Sequence, residues 1–253
     1  MMDIRESIGL PIESAEEEIG YNSNEVDVKN ILSYKKEDLQ NFVKNQTWET
    51  NEEKQEVYRL YKEVKKVEDK EFWLDVQFDI IVMWPGFLGE EYNKTISYQR
   101  STAENGFRFP EIYQMAEGYA EFFLQQPREK HEQIKEAIMI RAQKFDLIVI
   151  PPSYNVTIIN PSEKKNIISR LRASDVEEMT EHYARTKGEC YYRLEGGKWD
   201  FNANYEEIPT LRLEEPQNQW KSLKRGIPIY ASYIYNPRRF RCLIEPDPAE
   251  FIL

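Results

Sequence analysis

This chain lacks both a disulfide framework and a zinc framework. Its two cysteines, Cys190 and Cys242, are too few and too far apart for a stapled scaffold or a metal-knuckle spacing. Basic charge is also short: 34 Lys and Arg stand against 45 Asp and Glu, a formal charge of −11. Binding to a nucleic-acid backbone needs clustered cations, so nucleic acid is excluded as the main partner, and the acidic excess favours solubility. No apolar run approaches a membrane span; the stretch 148–152 is among the longest. The amino terminus, MMDIRESIGLPIESAEEE, is acidic and has no apolar export core, so the expectation is a cytoplasmic protein without membrane contact. The N-x-T triplets at Asn45, Asn93 and Asn155 then carry no meaning. There is no internal repeat and no low-complexity tract.

What the chain does have is enough length for a sizeable core and an aromatic content of 13%. Residues 1–28 are acidic and poor in periodic apolar positions, which predicts a loosely packed arm. Residues 29–71 read as a helical lead-in. Leu39, Phe42 and Val43 recur at helical spacing, and Thr50 or Asn51 would cap a second helix through Glu53, Val57, Leu60 and Val64. From 72 to 173 the texture is that of strands. The runs 74–84, 92–100, 111–116, 119–125, 137–142, 147–150, 156–159 and 167–172 are short and rich in β-branched or aromatic residues. Glu117-Gly118 reads as a hairpin turn. Strands at such spacing without intervening helices predict a sandwich or small barrel. Residues 174–253 form a turn-rich extension with one short helix over 175–185, capped by Ser174.

Three segments carry a resemblance: FDIIVMWPGFLGEEYNKTISYQR from Phe78, FPEIYQMAEGYAEFFLQ from Phe109, and FDLIVIPPSYNVTIIN from Phe145. Their order resembles the cupin-type glucose-6-phosphate isomerases, and the likeness runs from about Asn30 to the carboxy terminus. It implies a mainly β fold, a cupin jelly-roll (double-stranded β-helix) barrel with short flanking helices. In that family KT-x-GH-x-H, PE-x-Y and PP-x-x-x-H-x-T-x-N supply three histidines and a glutamate to a divalent metal. Carried over, the histidine positions fall on Tyr98, Arg100 and Val156, and the glutamate on Glu111. Tyrosine is a poor ligand at neutral pH, arginine offers no lone pair and valine has no donor, so no metal and no cofactor is expected. His131 and His182 lie outside the motif and read as exposed surface residues.

The resemblance implies an aldose–ketose isomerisation and a phosphorylated sugar as the small-molecule partner. Tyr98 and Arg100 keep the i, i+2 parity that points both inward. Arg100 would then polarise a carbonyl, Glu111 act as base and Tyr98 donate a proton, in a metal-free site. On the alternative reading Arg100 and Glu111 form a buried ion pair that only fills the hole. The family's phosphate positions map to Tyr58, Thr95 and Ser97, with Lys94 adjacent, although Ser97 stands for a glycine and Ile81 for a threonine. Tyr113 and Tyr154 would line the sugar pocket or serve as wall aromatics. The other readings are a catalytically silent cupin that binds a sugar phosphate or a protein partner, and a cupin recruited to a different reaction. A homodimer is expected, with the amino-terminal arm or an edge strand at the contact.

Overall fold

The computed structural model describes the chain apart from residues 1, 17, 50, 54, 218, 252 and 253. Ten strands build its two main sheets: β1 Val26–Lys35, β2 Glu56–Lys66, β3 Val76–Met83, β4 Glu111–Glu117, β5 Tyr119–Pro127, β6 Ile134–Gln143, β7 Leu147–Ile150, β8 Asn155–Ile159, β9 Asn166–Ala173 and β10 Leu211–Glu214. One sheet has six strands in the order β7-β4-β9-β3-β2-β1, and the other has four in the order β8-β5-β6-β10. All pairs are antiparallel except β6 with β10. The two sheets face each other across a core that includes Ile81, Tyr113, Met115 and Ile168 from the first and Phe122, Leu124, Ile138 and Ile158 from the second. This is the expected jelly roll.

Strand β3 is buried at every position, without the alternation of a half-exposed strand. The reason is that the outer face of the six-stranded sheet is covered as well. Phe78, Ile80 and Val82 pack outward against Ile4, Ile8, Leu10 and Ile12, and against Ile229, Tyr230 and Tyr233 of the helix Ile229–Tyr235. The arm is therefore not loosely packed: Ile4, Ile8, Ile12 and Ile19 are buried in this core layer, and burying them offsets the entropy of ordering the segment. The outer face of the smaller sheet is covered by the extension, through Cys190, Tyr191 and Tyr205 on Phe123 and Ile159.

The helical lead-in is also corrected. Lys36–Leu39 forms one helical turn, continued by a 3-10 turn over Gln40–Phe42, and a 3-10 helix follows over Val67–Phe72; between them a loop leads into β2, which pairs with β1. Val57, Leu60 and Val64 have helical spacing because β2 buries apolar residues on both faces. Tyr58 and Leu60 point inward, Tyr61 and Val64 outward, and Glu63 sits between them at φ +52°. Pairing on both edges overrides the helix propensity of its lysines and glutamates. Thr50 lies outside the described residues, and Asn51 precedes no helix.

Gly118 makes a corner rather than a hairpin, because β4 and β5 enter different sheets. Its φ is +87°, and a Cβ there would lie 2.2 Å from Asn166 Oδ1. The expected strand 92–100 is mostly extended chain, with only Glu91–Tyr92 and Gln99–Arg100 in ladders. In the extension the helix is Glu181–Thr186, and Thr180 rather than Ser174 precedes it. Among the described residues no helix is long and apolar enough to cross a membrane.

Candidate functional site

Strand register assembles a polar cluster inside the barrel. Pairing of β3 with β9 sets Asp79 opposite Arg170 and Gln77 opposite Arg172. Pairing of β9 with β4 sets Arg170 opposite Tyr113 and Arg172 opposite Glu111. Alternation sends all six side chains to the inner face, in two rungs across three strands. The segment before β4 adds Tyr98 and Arg100, and Gln99–Arg100 pairs with Glu178–Met179.

These groups bond mainly to one another, while the Nε atoms of Arg100 and Arg172 are buried without a hydrogen-bond partner. Arg170 donates from Nε and Nη2 to Asp79 Oδ2 at 3.0 and 2.7 Å, and from Nη1 to the Tyr98 hydroxyl at 2.8 Å. Tyr98 donates to Glu111 Oε1 at 2.8 Å, and Tyr113 to Oε2 at 3.0 Å. Arg100 donates from Nη1 to Glu111 Oε2 at 3.1 Å and from Nη2 to the carbonyls of Pro151 and Tyr154. Arg172 donates to Glu178, whose side chain is 28% exposed. Three guanidinium groups thus face the three carboxylates of Asp79, Glu111 and Glu178, and the cluster is electrically balanced.

Burial alone would raise the carboxyl pKa of Glu111, but Arg100, Arg170 and Arg172 outweigh it and hold it below the usual carboxylate range. Asp79 is held low in the same way, where burial is outweighed by Arg170 and Arg172. Burial pushes the Tyr98 phenol well above its ordinary value; Arg170 opposes this and Glu111 adds to it. The cluster therefore consists of ionised pairs bridged by neutral phenols.

A cavity of about 80 Å³ lies beside the cluster, toward the barrel mouth. Leu60, Ile81, Ile96, Val156 and Ile158 form its walls; Tyr34, Tyr58, Thr95, Tyr98, Tyr113 and Arg170 supply its polar atoms, and Glu178 and Thr180 sit at its edge. Of the expected site residues, Tyr58, Thr95, Tyr98 and Tyr113 line it, while Arg100 and Glu111 are not among its lining residues. The Tyr58 and Thr95 hydroxyls accept from the N–H groups of Ile96 and Ile158 at 3.4 and 3.0 Å.

Lys94 and Ser97 turn away from the cavity, which corrects their expected part in holding a phosphate. The Lys94 ammonium is 2.8 Å from Glu91 and 2.9 Å from Glu189, all three buried, and Ser97 bonds to Thr157 and Glu189. This second cluster ties the extension to the barrel. Tyr154 donates to Glu136 at 2.8 Å and lines a separate surface hollow beside Pro151 and Pro152.

Asp79, Arg170, Arg172 and Glu178 were not foreseen as site residues. Their signal was present: a charged residue at inward parity in an otherwise apolar strand, as in FDIIVM and IISRLR, needs a buried partner.

His131 and His182 are not free surface residues either. Their rings lie 5.1 Å apart between centroids, tilted by 44°; His182 is 9% exposed, and neither of its nitrogens has a hydrogen-bond partner. The sequence hid this because the loop after β5 and the helix Glu181–Thr186 meet only in the folded chain.

Tyr98, Arg100, Glu111 and Val156 converge at one end of the barrel. As a donor set they do not fit a divalent metal. The guanidinium has no lone pair, Val156 no donor atom, and both Glu111 oxygens are engaged. Among the described residues no group of three or more His, Cys, Asp or Glu side chains could hold a metal ion.

The two facing sheets form a jelly-roll barrel with a polar cluster inside it, a mainly β fold of the cupin kind. The chain belongs to the glucose-6-phosphate isomerase (GPI) family, whose sequence model matches residues 33–210. No curated protein matches it. Similar solved structures include the Lactobacillus farciminis oxalate decarboxylase formate complex, at 13% identity and TM-score 0.33, covering 46% of this chain and 28% of that one. The vicilin from Solanum melongena aligns at 14% identity and TM-score 0.36, over 53% of this chain and 32% of that one. A recombinant oxalate oxidase in complex with glycolate aligns at 11% identity and TM-score 0.32, over 51% and 54%. The chain spans less than two thirds of the length of each.

Proposed function

We propose that this GPI-family cupin carries an Arg–Tyr–Glu network at the positions where its relatives bind metal, and that it binds a small uncharged molecule rather than isomerising a sugar phosphate. The observation that carries this reading is the state of Glu111. A base that removes a proton from carbon needs a free lone pair within reach of substrate and a pKa near the working pH. Glu111 is fully buried, accepts from Tyr98, Tyr113 and Arg100, and has its basicity lowered by three guanidinium groups. Arg100 is likewise spent on Glu111 and two backbone carbonyls. The ion-pair reading of these two residues is therefore favoured over the catalytic one.

Two further observations argue against a phosphorylated sugar. The balanced cluster has no surplus cation for a phosphate dianion, and Lys94 is held by two carboxylates. A cavity of about 80 Å³ is also below the roughly 300–1,000 Å³ of most metabolite sites.

The test is conversion of fructose-6-phosphate to glucose-6-phosphate with added Mn²⁺, with added Zn²⁺ and with a chelator, alongside thermal melts with each sugar phosphate. The expected result is no turnover in any arm and no saturable stabilisation by either sugar. Metal-dependent turnover would overturn the argument from the donor set. Metal-free turnover lost in Glu111→Gln would overturn the binding-only reading, and saturable stabilisation would overturn the uncharged ligand.

A homodimer remains part of the proposal, through one surface only. The arm buries its apolar side chains within its own chain, whereas β1 forms the outer edge of the six-stranded sheet and leaves Ile31 46% exposed. Edge pairing of two copies would cover that strand. Sedimentation at micromolar concentration should report a dimer that Ile31→Lys weakens; a monomeric wild type rules this out.

A further inference from the structure

Six residues bring side-chain hydroxyls to the cavity at the barrel mouth: Tyr34, Tyr58, Thr95, Tyr98, Tyr113 and Thr180. Their hydrogen bonds are unevenly engaged. The protons of Tyr98 and Tyr113 both go to Glu111, and the Tyr98 oxygen accepts from Arg170. These two phenols belong to the charged cluster and have little left for a ligand.

Tyr58 and Thr95 are in the opposite condition. Each oxygen accepts from a backbone N–H, Tyr58 from Ile96 at 3.4 Å and Thr95 from Ile158 at 3.0 Å. Neither hydroxyl donates to an acceptor among the described residues, although both side chains are buried. An oxygen that already accepts has its proton left to offer. Burial pushes the Tyr58 phenol well above its ordinary value, so the ring keeps that proton. The two donors are also presented together, because Tyr58 meets the N–H of the residue that follows Thr95.

Free acceptors are scarce on the same surface. Glu178 is the one carboxylate among the lining residues; it sits at the edge and pairs with Arg170 and Arg172. Tyr34 stacks on Tyr58 at 4.3 Å between centroids, and Tyr34 and Thr180 are both half-buried, so the cavity reaches solvent on their side. The remaining lining includes the aliphatic side chains of Ile81, Val156 and Ile158.

We infer that the cavity takes a neutral carbonyl compound, its oxygen accepting from the Thr95 and Tyr58 hydroxyls and its alkyl body lying against Ile81, Val156 and Ile158. This rests on the proposed binding of a small uncharged molecule and names its chemical class. A carbonyl oxygen has two lone pairs and no proton, which complements two donors and little else. A hydrocarbon of the same shape would leave both buried hydroxyls without an acceptor, and a site built around such donors rejects the analogue that cannot accept. A carboxylate would meet Glu178 at the entrance.

The test is an NMR titration of the isoleucine and valine methyl groups of the full chain with butanone and with 2-methylbut-1-ene, which replaces the carbonyl oxygen by a methylene group. Butanone should shift the methyls of Ile81, Ile96, Val156 and Ile158 saturably and leave Ile4 and Ile12, on the outer face, unmoved. It should bind at least about tenfold more tightly than the alkene. Tyr58→Phe keeps the ring and its stack on Tyr34, and the Ile96 bond that it removes is long, so the variant should fold. It should weaken butanone at least about threefold without weakening the alkene. An alkene that binds as tightly as butanone, or a variant that binds butanone as wild type does, would overturn the carbonyl assignment and leave a small uncharged ligand standing. No saturable shift with either compound would overturn the cavity as a ligand site, and with it the reading beneath.

Discussion

Arg170→Met is expected to destabilise the fold by about 3–5 kcal/mol, the usual effect of removing one partner from a buried ion pair. The substitution keeps most of the aliphatic volume but removes the counterion of Asp79, which is fully buried and has Arg170 as its main partner. It also removes the donor to Tyr98 and one of the three cations around Glu111. Against a total stability of about 5–15 kcal/mol, that loss leaves a barely folded protein. The double variant Asp79→Leu with Arg170→Met should recover much of the stability, because no bare charge remains in the barrel. Urea unfolding of the wild type, the single variant and the double variant measures both steps. A single-variant loss below about 1 kcal/mol would mean that Asp79 is hydrated rather than dependent on its arginine.

Lys94→Met should have an effect of similar size, about 3–5 kcal/mol at pH 7, for the opposite reason. Here a lone cation is removed from between Glu91 and Glu189, which are 1% and 2% exposed. Burial already raises the pKa of Glu91 in the intact triad, with Lys94 opposing it. Without Lys94, Glu91 shifts further upward. A carboxylate whose folded pKa lies above its unfolded value binds more protons when folded, so stability rises as the pH falls toward that unfolded value. The gap between wild type and variant should therefore narrow from pH 7 to pH 5. Asp79 and Glu111 do not obscure this comparison: their depressed pKa values remove stability only below the ordinary carboxylate range. A gap that stays constant over this interval would show that the triad acts through packing alone.

The barrel strands were legible because their signal is local. Runs such as LIVI at 147–150 and VTII at 156–159 are short, apolar and bounded by turn residues, and the folded strands Leu147–Ile150 and Asn155–Ile159 match them closely. The inward parity of Tyr98 and Arg100 was legible for the same reason, since both reach Glu111. The lead-in was misread because β2 buries both faces, so its apolar residues fall at a spacing that resembles a helix. The arm was misread because its few apolar residues are scattered among acidic ones and are buried by a sheet that lies far along the chain. Lys94 and Ser97 were misplaced because the chain from 92 to 98 does not run as a regular strand, so alternation could not assign their faces.

The residue types alone determined the chemistry that is possible here: arginine, tyrosine and valine at three of the four gathered positions leave one carboxylate and no imidazole. The strand pattern determined a sandwich or small barrel, and the resemblance carried by the three motif segments narrowed it to the jelly roll. Tertiary structure alone decided where each charge ends. Register set Arg170 on Asp79 rather than on a ligand, the extension brought Glu189 to Lys94, and a loop and a distant helix brought the histidines together. The physical reason is that electrostatic energy depends on distance through space, and the distances that matter here join residues far apart in the chain.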